Sequence, residues 1–275
     1  MADGGWRKTH NGERRHRAPG SGSVSPLRVA RLSIMAAPRS VLLLGASGLV
    51  GGECFRLLSN DDAFDRVVVL GRRPLDPKGL NAKIEAHVVN FDHLTSAARF
   101  FAVDQIICAL GTTMGEAGSR RRFRTVDLLY PLTAAHLGIE RRATHFLLVS
   151  AHGASVRSPF FYNRIKGELE AGVTELPYRS LTIARPSMLM GRRERPRTVE
   201  RLAGALSFLA PSKVRPIKAS DVALALVRKA VLDEPGRQVL NSSDLRRAAG
   251  EDRREDSSMR ELRGESVEIP QSSVA

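Results

Sequence analysis

Tyr162 and Lys166 stand four residues apart in Phe161-Tyr162-Asn163-Arg164-Ile165-Lys166-Gly167-Glu168. On a helix, positions i and i+4 share one face, so the ammonium can lie beside the phenol. A neighbouring positive charge favours the phenolate. A tyrosine titrates near ~10, and bringing it near neutrality takes about 3 pH units, or roughly 4 kcal/mol of differential stabilisation. Such a phenol can give a proton to a carbonyl oxygen as hydride reaches the carbon, and can take it back in reverse. Upstream, Val149-Ser150-Ala151-His152-Gly153 offers the Ser150 hydroxyl as a hydrogen-bonding group for the same oxygen. A tyrosine and a lysine at this spacing make a short motif, and their place among the surrounding elements gives it weight.

A second group sits in Leu44-Gly45-Ala46-Ser47-Gly48-Leu49-Val50-Gly51, with glycine spacing G-x-x-G-x-x-G. Gly45 allows a tight exit from a strand, Gly48 lets backbone approach a pyrophosphate, and Gly51 lets a helix pack closely on a sheet. The helix N-terminus at Leu49 and Val50 adds unpaired N–H groups and a partial positive charge for phosphate. About 20 residues on, an NAD site wants an acid for the ribose 2′-hydroxyl. This chain has Leu70-Gly71-Arg72-Arg73-Pro74 instead. Guanidinium groups bind phosphate oxygens bidentately, so Arg72 and Arg73 favour the 2′-phosphate of NADP(H).

The elements that must position these groups follow from the apolar pattern. Short apolar runs at 41–44, 67–70, 87–89, 105–110, 146–149 and 181–184 read as strands. Helix-like stretches at 49–59, 94–101, 124–137 and 160–175 alternate with them. Continuous apolar strands alternating with helices indicate a parallel sheet covered on both faces. The expected fold is α/β, a doubly wound parallel sheet of Rossmann type, with a small C-terminal substrate-lid region at about 187–220. The glycine turn then follows the first strand, and Tyr162 and Lys166 follow the fifth. Residues 202–210 and 220–232 read as further helices, and 191–201 as an Arg-rich loop.

The 275 residues divide into three stretches on this reading: a disordered basic extension at 1–38, the dinucleotide-binding domain at 39–240, and a polar disordered tail at 241–275. Hydrophobic content of 42% and charged content of 26% are those of an ordinary globular chain. No run approaches a membrane span. Cys54 and Cys108 read as small core residues, and no His/Cys/Asp/Glu set has metal spacing, so no metal is expected. The net charge of +14 is mostly arginine. Residues 1–38 carry +5 of it and residues 39–240 carry +11. With aromatics at 5% and no recognition motif, this reads as a solvated Arg-biased surface rather than a nucleic-acid footprint. Partners are expected to be a small-molecule substrate and no membrane, in a monomer or homodimer. The extension has transit-peptide composition, but its glycines and Pro19 interrupt any amphipathic helix. That favours a start at Met35 and a cytoplasmic protein, with an organellar one as the alternative.

Together the glycine trio, Cys108-Ala109-Leu110-Gly111-Thr112-Thr113, Val149-Ser150, Tyr162-x-x-x-Lys166 and Arg185-Pro186 resemble the atypical short-chain dehydrogenases/reductases. The likeness is to the NAD(P)H-binding oxidoreductase branch around the Tat-interacting protein family, and it covers about residues 40–232. The resemblance implies that Gly45, Ser47, Gly48 and Gly51 meet the pyrophosphate, and that Leu110, Gly111 and Thr112 flank the adenosine half. It implies further that Lys166 holds the nicotinamide ribose while Tyr162 acts as acid/base. Two positions depart from the family pattern: Asn90 stands where relatives often carry an aspartate, and Ala151 where they often carry a second serine. The expected function is an NADP(H)-dependent oxidoreductase acting on a carbonyl or alcohol. The alternative is a non-enzymatic NADP(H)-binding regulatory or redox-sensing protein.

Overall fold

In β1 (Arg39–Leu44) Val41 and Leu43 point to one face and Leu42 and Leu44 to the other, and all four are buried. A strand buried on both sides belongs in the middle of a covered sheet. The computed structural model describes residues 1, 39–76, 80–190 and 216–250. Most of the expected extension, part of the tail, the Arg-rich loop, the 202–210 helix and most of the lid region lie outside the described residues.

Seven parallel strands form one sheet in the order β3-β2-β1-β4-β5-β6-β9. The others are β2 (Phe64–Gly71), β3 (Ile84–Val88), β4 (Gln105–Cys108), β5 (His145–Val149), β6 (Ser180–Arg185) and β9 (Gly236–Asn241). A separate two-stranded ribbon pairs β7 (Leu189–Met190) with β8 (Ile217–Lys218). This is the expected doubly wound α/β sheet, with one strand more than the six read from sequence. The order reverses direction at β1, and ligands of such sheets bind at the carboxyl ends on either side of that point.

One face is covered by α1 (Leu49–Ser59), α6 (Ala219–Leu232) and α7 (242–250), which bury Cys54, Leu58, Val222, Leu226 and Leu245 against Val41, Leu43, Val67 and Val69. The other face carries a 3₁₀ segment (Phe91–Phe101), the short helix α2 (Met114–Ala117), and a helical run built of α3 (Arg120–Arg124), a π-turn (Thr125–Leu129) and α4 (Tyr130–Glu140). It also carries α5 (Phe161–Thr174), whose Ile165, Leu169 and Val173 are buried. The stretch expected to begin a disordered tail at 241 instead closes β9 and forms α7. Its apolar residues are sparse, but Leu245 and Ala249 fall four apart and both are buried.

At the amino ends of β5 and β6, His145 is fully buried. Its Nδ1 lies 3.1 Å from Asp233 Oδ1 and its Nε2 3.0 Å from Thr182 Oγ1. Burial, ahead of the opposing pull of Asp233, lowers its pKa to about 4.

Candidate functional site

The carboxyl ends of β1 and β4 meet where the glycine turn begins. Gly45 has φ +91°, and a side chain there would put its Cβ 2.6 Å from Ala109 O. Gly51 lies on α1 so close to the turn that a Cβ would sit 2.0 Å from Gly45 O. Gly48 is the N-cap of α1, with no side-chain cap and no acid in the first turn. First-turn N–H groups of an α-helix have no partner within the helix and attract anions. Ser47 and Gly48 are exposed, Leu49 is half-buried and Val50 is buried. The arrangement forms a cradle that only glycine permits, and it fits a pyrophosphate.

Beside it, at the ends of β2 and β3, lies a cavity of about 390 Å³ whose lining includes Arg72, Val88, Asn90, Asp92, Arg122 and Tyr130. Arg73 is exposed. Asn90 turns its amide oxygen inward to cap the 3₁₀ segment, accepting from Asp92 N at 2.9 Å. Arg122 donates to Tyr130 Oη at 3.1 Å and pairs with Asp92 at 3.4 Å, while Tyr130 donates to Asp92. Sequence reasoning paired Arg72 with Arg73 and did not single out Arg122 for this wall. Arg122 belonged to a run of four arginines that gave no sign of which one faced inward.

On α5, Tyr162, Lys166 and Glu170 fall four apart. Lys166 is 2% exposed, and its Nζ lies 2.8 Å from Asp127 Oδ1 in a pair buried on both sides. Asp127 Oδ2 accepts from Thr112 N at 2.8 Å. Gly111 lies beside the pair: a Cβ there would stand in ordinary contact, 3.4 Å from Asp127 Oδ1 and 3.8 Å from Lys166 Nζ. Of the predicted Leu110, Gly111 and Thr112, Thr112 therefore meets Lys166 through Asp127. A lone acid in the apolar run Val126-Asp127-Leu128-Leu129 was the available signal for Asp127, and the sequence reading did not use it.

The pair changes the electrostatics expected from sequence. Burial by itself pulls the Lys166 ammonium below its ordinary value. Asp127, with Tyr162 and Cys108, outweighs burial and holds the ammonium above its ordinary value. Tyr162 was expected to be lowered by Lys166. Instead, burial raises its phenol, Lys166 lowers it, and Asp127 raises it again, for a net rise. The phenol is thus a protonated acid at neutral pH. Its ring packs at 5.6 Å from Phe123, and the residue is 37% exposed.

Ser150 lies at the end of β5, 4% exposed, and donates its hydroxyl to Glu170. Glu170 is also held by Arg185, through Nε at 3.0 Å and through Nη2. Ser150 therefore joins a buried cluster with Glu170 and Arg185, while Tyr162 lies a full two turns away along α5. Ala151 is buried, and His152 is exposed, with its N–H on Pro186 O. Cys54 and Cys108 are free, buried and raised to about 12 and about 11 by burial. Among the described residues, no helix is long and apolar enough to cross a membrane.

No family model matches the chain. It is 36% identical over 168 residues to Protein HTATIP2 of Rattus norvegicus, covering 60% of this chain and 69% of that protein. It is 30% identical over 162 residues to Protein FMP52, mitochondrial, of Lodderomyces elongisporus, covering 56% and 68%. Among solved structures, MoeE5 in complex with UDP-glucuronic acid and NAD superposes with a TM-score of 0.60 at 18% identity, over 74% of this chain and 75% of that one. UDP-glucose 4-epimerase with UDP-glucose from Thermotoga maritima gives 0.57 at 14%, over 74% and 76%. These structural likenesses show the fold.

Proposed function

We propose that this chain, which belongs to the family of Protein HTATIP2 and the FMP52 proteins within the NAD(P)-binding atypical short-chain dehydrogenases, is an NADP(H)-dependent oxidoreductase acting on a carbonyl or alcohol carbon. The observation that carries the reading is a partly exposed Tyr162 one turn from the buried Lys166–Asp127 pair, which is itself bonded to the loop beside the glycine cradle. A bound nicotinamide dinucleotide supplies hydride for reduction and takes it up in reverse.

The chain's own residues do the rest. Gly45, Ser47, Gly48, Leu49, Val50 and Gly51 hold the pyrophosphate through backbone and the α1 terminus. Arg72, with Arg73, meets the 2′-phosphate. Leu110, Gly111 and Thr112 flank the adenosine half, and Lys166 holds the nicotinamide ribose. Tyr162 gives its proton to the substrate oxygen as the carbon is reduced, and the phenolate left behind lies beside Lys166 and regains a proton from solvent. Ser150 orients the same oxygen if its hydroxyl turns from Glu170 to the substrate. MoeE5 and its like bind NAD by name; the preference for NADP(H) here rests on Arg72 and Arg73 where an acid would serve NAD.

Replacing Tyr162 by Phe tests the reading. Turnover of a carbonyl panel with NADPH should fall by 10²-fold or more, as loss of a general acid does, while NADPH binding persists. Undiminished turnover removes the role. One observation favours a second reading, a non-enzymatic NADP(H)-binding regulator: the Ser150 proton is committed to Glu170, and the neighbouring position is Ala151. Tight NADPH binding with no turnover across the panel selects that reading. The expectation remains cytoplasmic, and the mitochondrial names of the fungal relatives point to the organellar alternative.

A further inference from the structure

β3 closes one end of the seven-stranded sheet, and among the described residues no strand pairs with its outer side. Lys83 O accepts from Val67 N at 2.8 Å, and Val89 N donates to Gly71 O at 2.9 Å. A strand bonds one neighbour through alternate residues, so Lys83, Glu85, His87 and Val89 serve β2. The N–H and C=O groups of Ala86 and Val88, with the C=O of Ile84, therefore point to the free edge. The Ile84 N–H is taken by Asn81 O at 3.0 Å. Natural sheet edges are guarded by lysine, proline or a bulge. Ile84-Glu85-Ala86-His87-Val88 has neither residue, and its register on β2 is unbroken. The lysine before it, Lys83, turns its ammonium to Asp61 O at 2.7 Å. Ala86 is exposed and Val88 is 58% exposed. Along this edge runs a groove of about 400 Å³ bounded by the 3₁₀ segment. In its lining Arg99 lies 4.5 Å over the Phe100 ring, and His87 stacks on the same ring at 4.0 Å.

We propose that this edge is a docking surface for a second copy of the chain, the two β3 strands pairing antiparallel about a two-fold axis at Ala86. In that register the strand is complementary to itself. Ala86 faces Ala86 of the second copy, and Ile84 faces Val88. These residues carry the free backbone groups, so they make the hydrogen-bonded pairs. The Ala86 and Val88 N–H groups of each copy donate to Ala86 O and Ile84 O of the other. Glu85 then faces His87 of the second copy in the non-hydrogen-bonded pairs, where side chains come closest. A carboxylate opposite an imidazole is a favourable cross-strand pair, and the groove that receives it also holds Arg99. On the other face of the ribbon Ile84, Ala86 and Val88 of the two copies cover one another.

Such a pair is isologous, with the same patch on both copies. An edge of 5 residues makes an interface at the low end of the size range, below about 1,200 Å² in total, so the dimer exchanges with monomer and is not permanent. The proposal stands apart from the oxidoreductase reading, because β3 lies at the end of the sheet away from β5 and the Tyr162 and Lys166 that follow it.

Sedimentation equilibrium of the full chain under reducing conditions tests the pairing. The average mass should rise with concentration between about 10 μM and about 1 mM, the range of a weak interface. Ala86→Pro removes the free N–H at the centre of the pair and no bond to β2, an orientation in which an edge strand tolerates proline. It should raise the dissociation constant at least about tenfold and keep the wild-type circular dichroism. Oxidative cross-linking tests the register. The chain's 2 cysteines, Cys54 and Cys108, are both buried. In Ala86→Cys the new thiols meet across the axis with Cα atoms about 5.5 Å apart, within the roughly 4.4–6.8 Å that a disulfide spans. In Val88→Cys they stand more than about 13 Å apart at ~3.4 Å per residue, out of reach. Oxidation should therefore link Ala86→Cys into a covalent dimer and leave Val88→Cys largely unlinked. A wild-type chain that stays monomeric to about 1 mM overturns the proposal, whatever other protein the edge binds. A folded Ala86→Pro with the wild-type dissociation constant overturns it too, since the dimer then uses another face. Equal linking at the two positions, or none at Ala86→Cys, also overturns it, and this result decides the matter even if Ala86→Pro does not fold.

Discussion

Gly51→Ala tests whether the cradle is built for a ligand's phosphates. The added Cβ would sit 2.0 Å from Gly45 O and 2.6 Å from Gly45 C, both backbone atoms. Non-bonded heavy atoms settle at about 3.5–4.0 Å, so α1 must retreat by more than ~1 Å or the turn must open. Overpacking of this kind costs typically 1–3 kcal/mol, and the upper end applies because no flexible side chain can yield. The same retreat carries the first-turn amides of Leu49 and Val50 away from the turn. NADPH affinity should therefore fall at least about tenfold, or ~1.4 kcal/mol. Two companions separate the effects. Gly48→Ala puts its Cβ 3.3 Å from Gly45 O, so the fold should stay within about 1 kcal/mol while the closer wall weakens NADPH binding. Gly115→Ala has nothing within 4 Å and should change neither reading by more than about 1 kcal/mol. Denaturant midpoints and calorimetry give both numbers. A Gly51→Ala protein with wild-type stability and wild-type NADPH affinity would refute the reasoning from close approach.

Arg72→Gln should raise the NADPH dissociation constant about tenfold or more, at the roughly 1.5–3 kcal/mol of a charged hydrogen bond, and leave NADH unchanged. Arg122→Gln, from the same cavity wall, should do likewise, and equal losses for both cofactors would argue against a 2′-phosphate contact. His145 has its folded-state pKa lowered from an ordinary 6.5 to about 4 by burial, so the stability it contributes is complete above pH 6.5 and lost as pH falls through about 4. The loss is at most about 3 kcal/mol; urea unfolding of wild type and His145→Gln at pH 7 and pH 4.5 should show the smaller drop in the variant, and parallel drops would refute the assignment. Ser150→Ala should lower turnover about tenfold or more if the hydroxyl polarises substrate, with NADPH affinity unchanged; unaltered turnover would leave Ser150 a purely structural partner of Glu170.

Buried central elements were legible because their pattern is continuous. Strands β1, β2, β4, β5 and β6 and helices α1, α5 and α6 fall where apolar runs and glycines put them. Legibility failed at the edges of the sheet. β9 alternates exposed and half-buried residues in Gly-Arg-Gln-Val-Leu-Asn, with no apolar run to mark it. β3 was expected at 87–89 and begins at Ile84, because an edge strand with exposed Ala86 and Val88 carries little apolar signal. At the site, spacing along one helix brought Tyr162 and Lys166 together correctly. It said nothing of the burial that reverses the expected direction of the Tyr162 shift, nor of Asp127, which arrives from another element and adds to it. Contacts between distant segments leave no periodicity in a sequence, so neither the burial they create nor the charge they bring is legible from spacing along one helix.

The three polar positions on one face of α5 differ in exposure, and the difference assigns their work. Glu170 is held by Ser150 and Arg185 at the ends of β5 and β6, and Lys166 by Asp127 beside the β4 loop. A buried pair such as Lys166–Asp127 adds little net stability against well-packed apolar replacements, yet breaking it leaves an uncompensated charge costing about 3–5 kcal/mol, and less for Glu170 with its partly exposed Arg185. A helix pinned by two such pairs resists sliding or rotating against the sheet, since either motion breaks both. That restraint matters most for the third position. Tyr162 packs on Phe123 and is 37% exposed, and among the described residues its oxygen is placed by the register of α5. Proton transfer needs the phenol within about 2.6–3.2 Å of its acceptor. The two pairs supply that placement from below, as the proposed role of Tyr162 as proton donor requires.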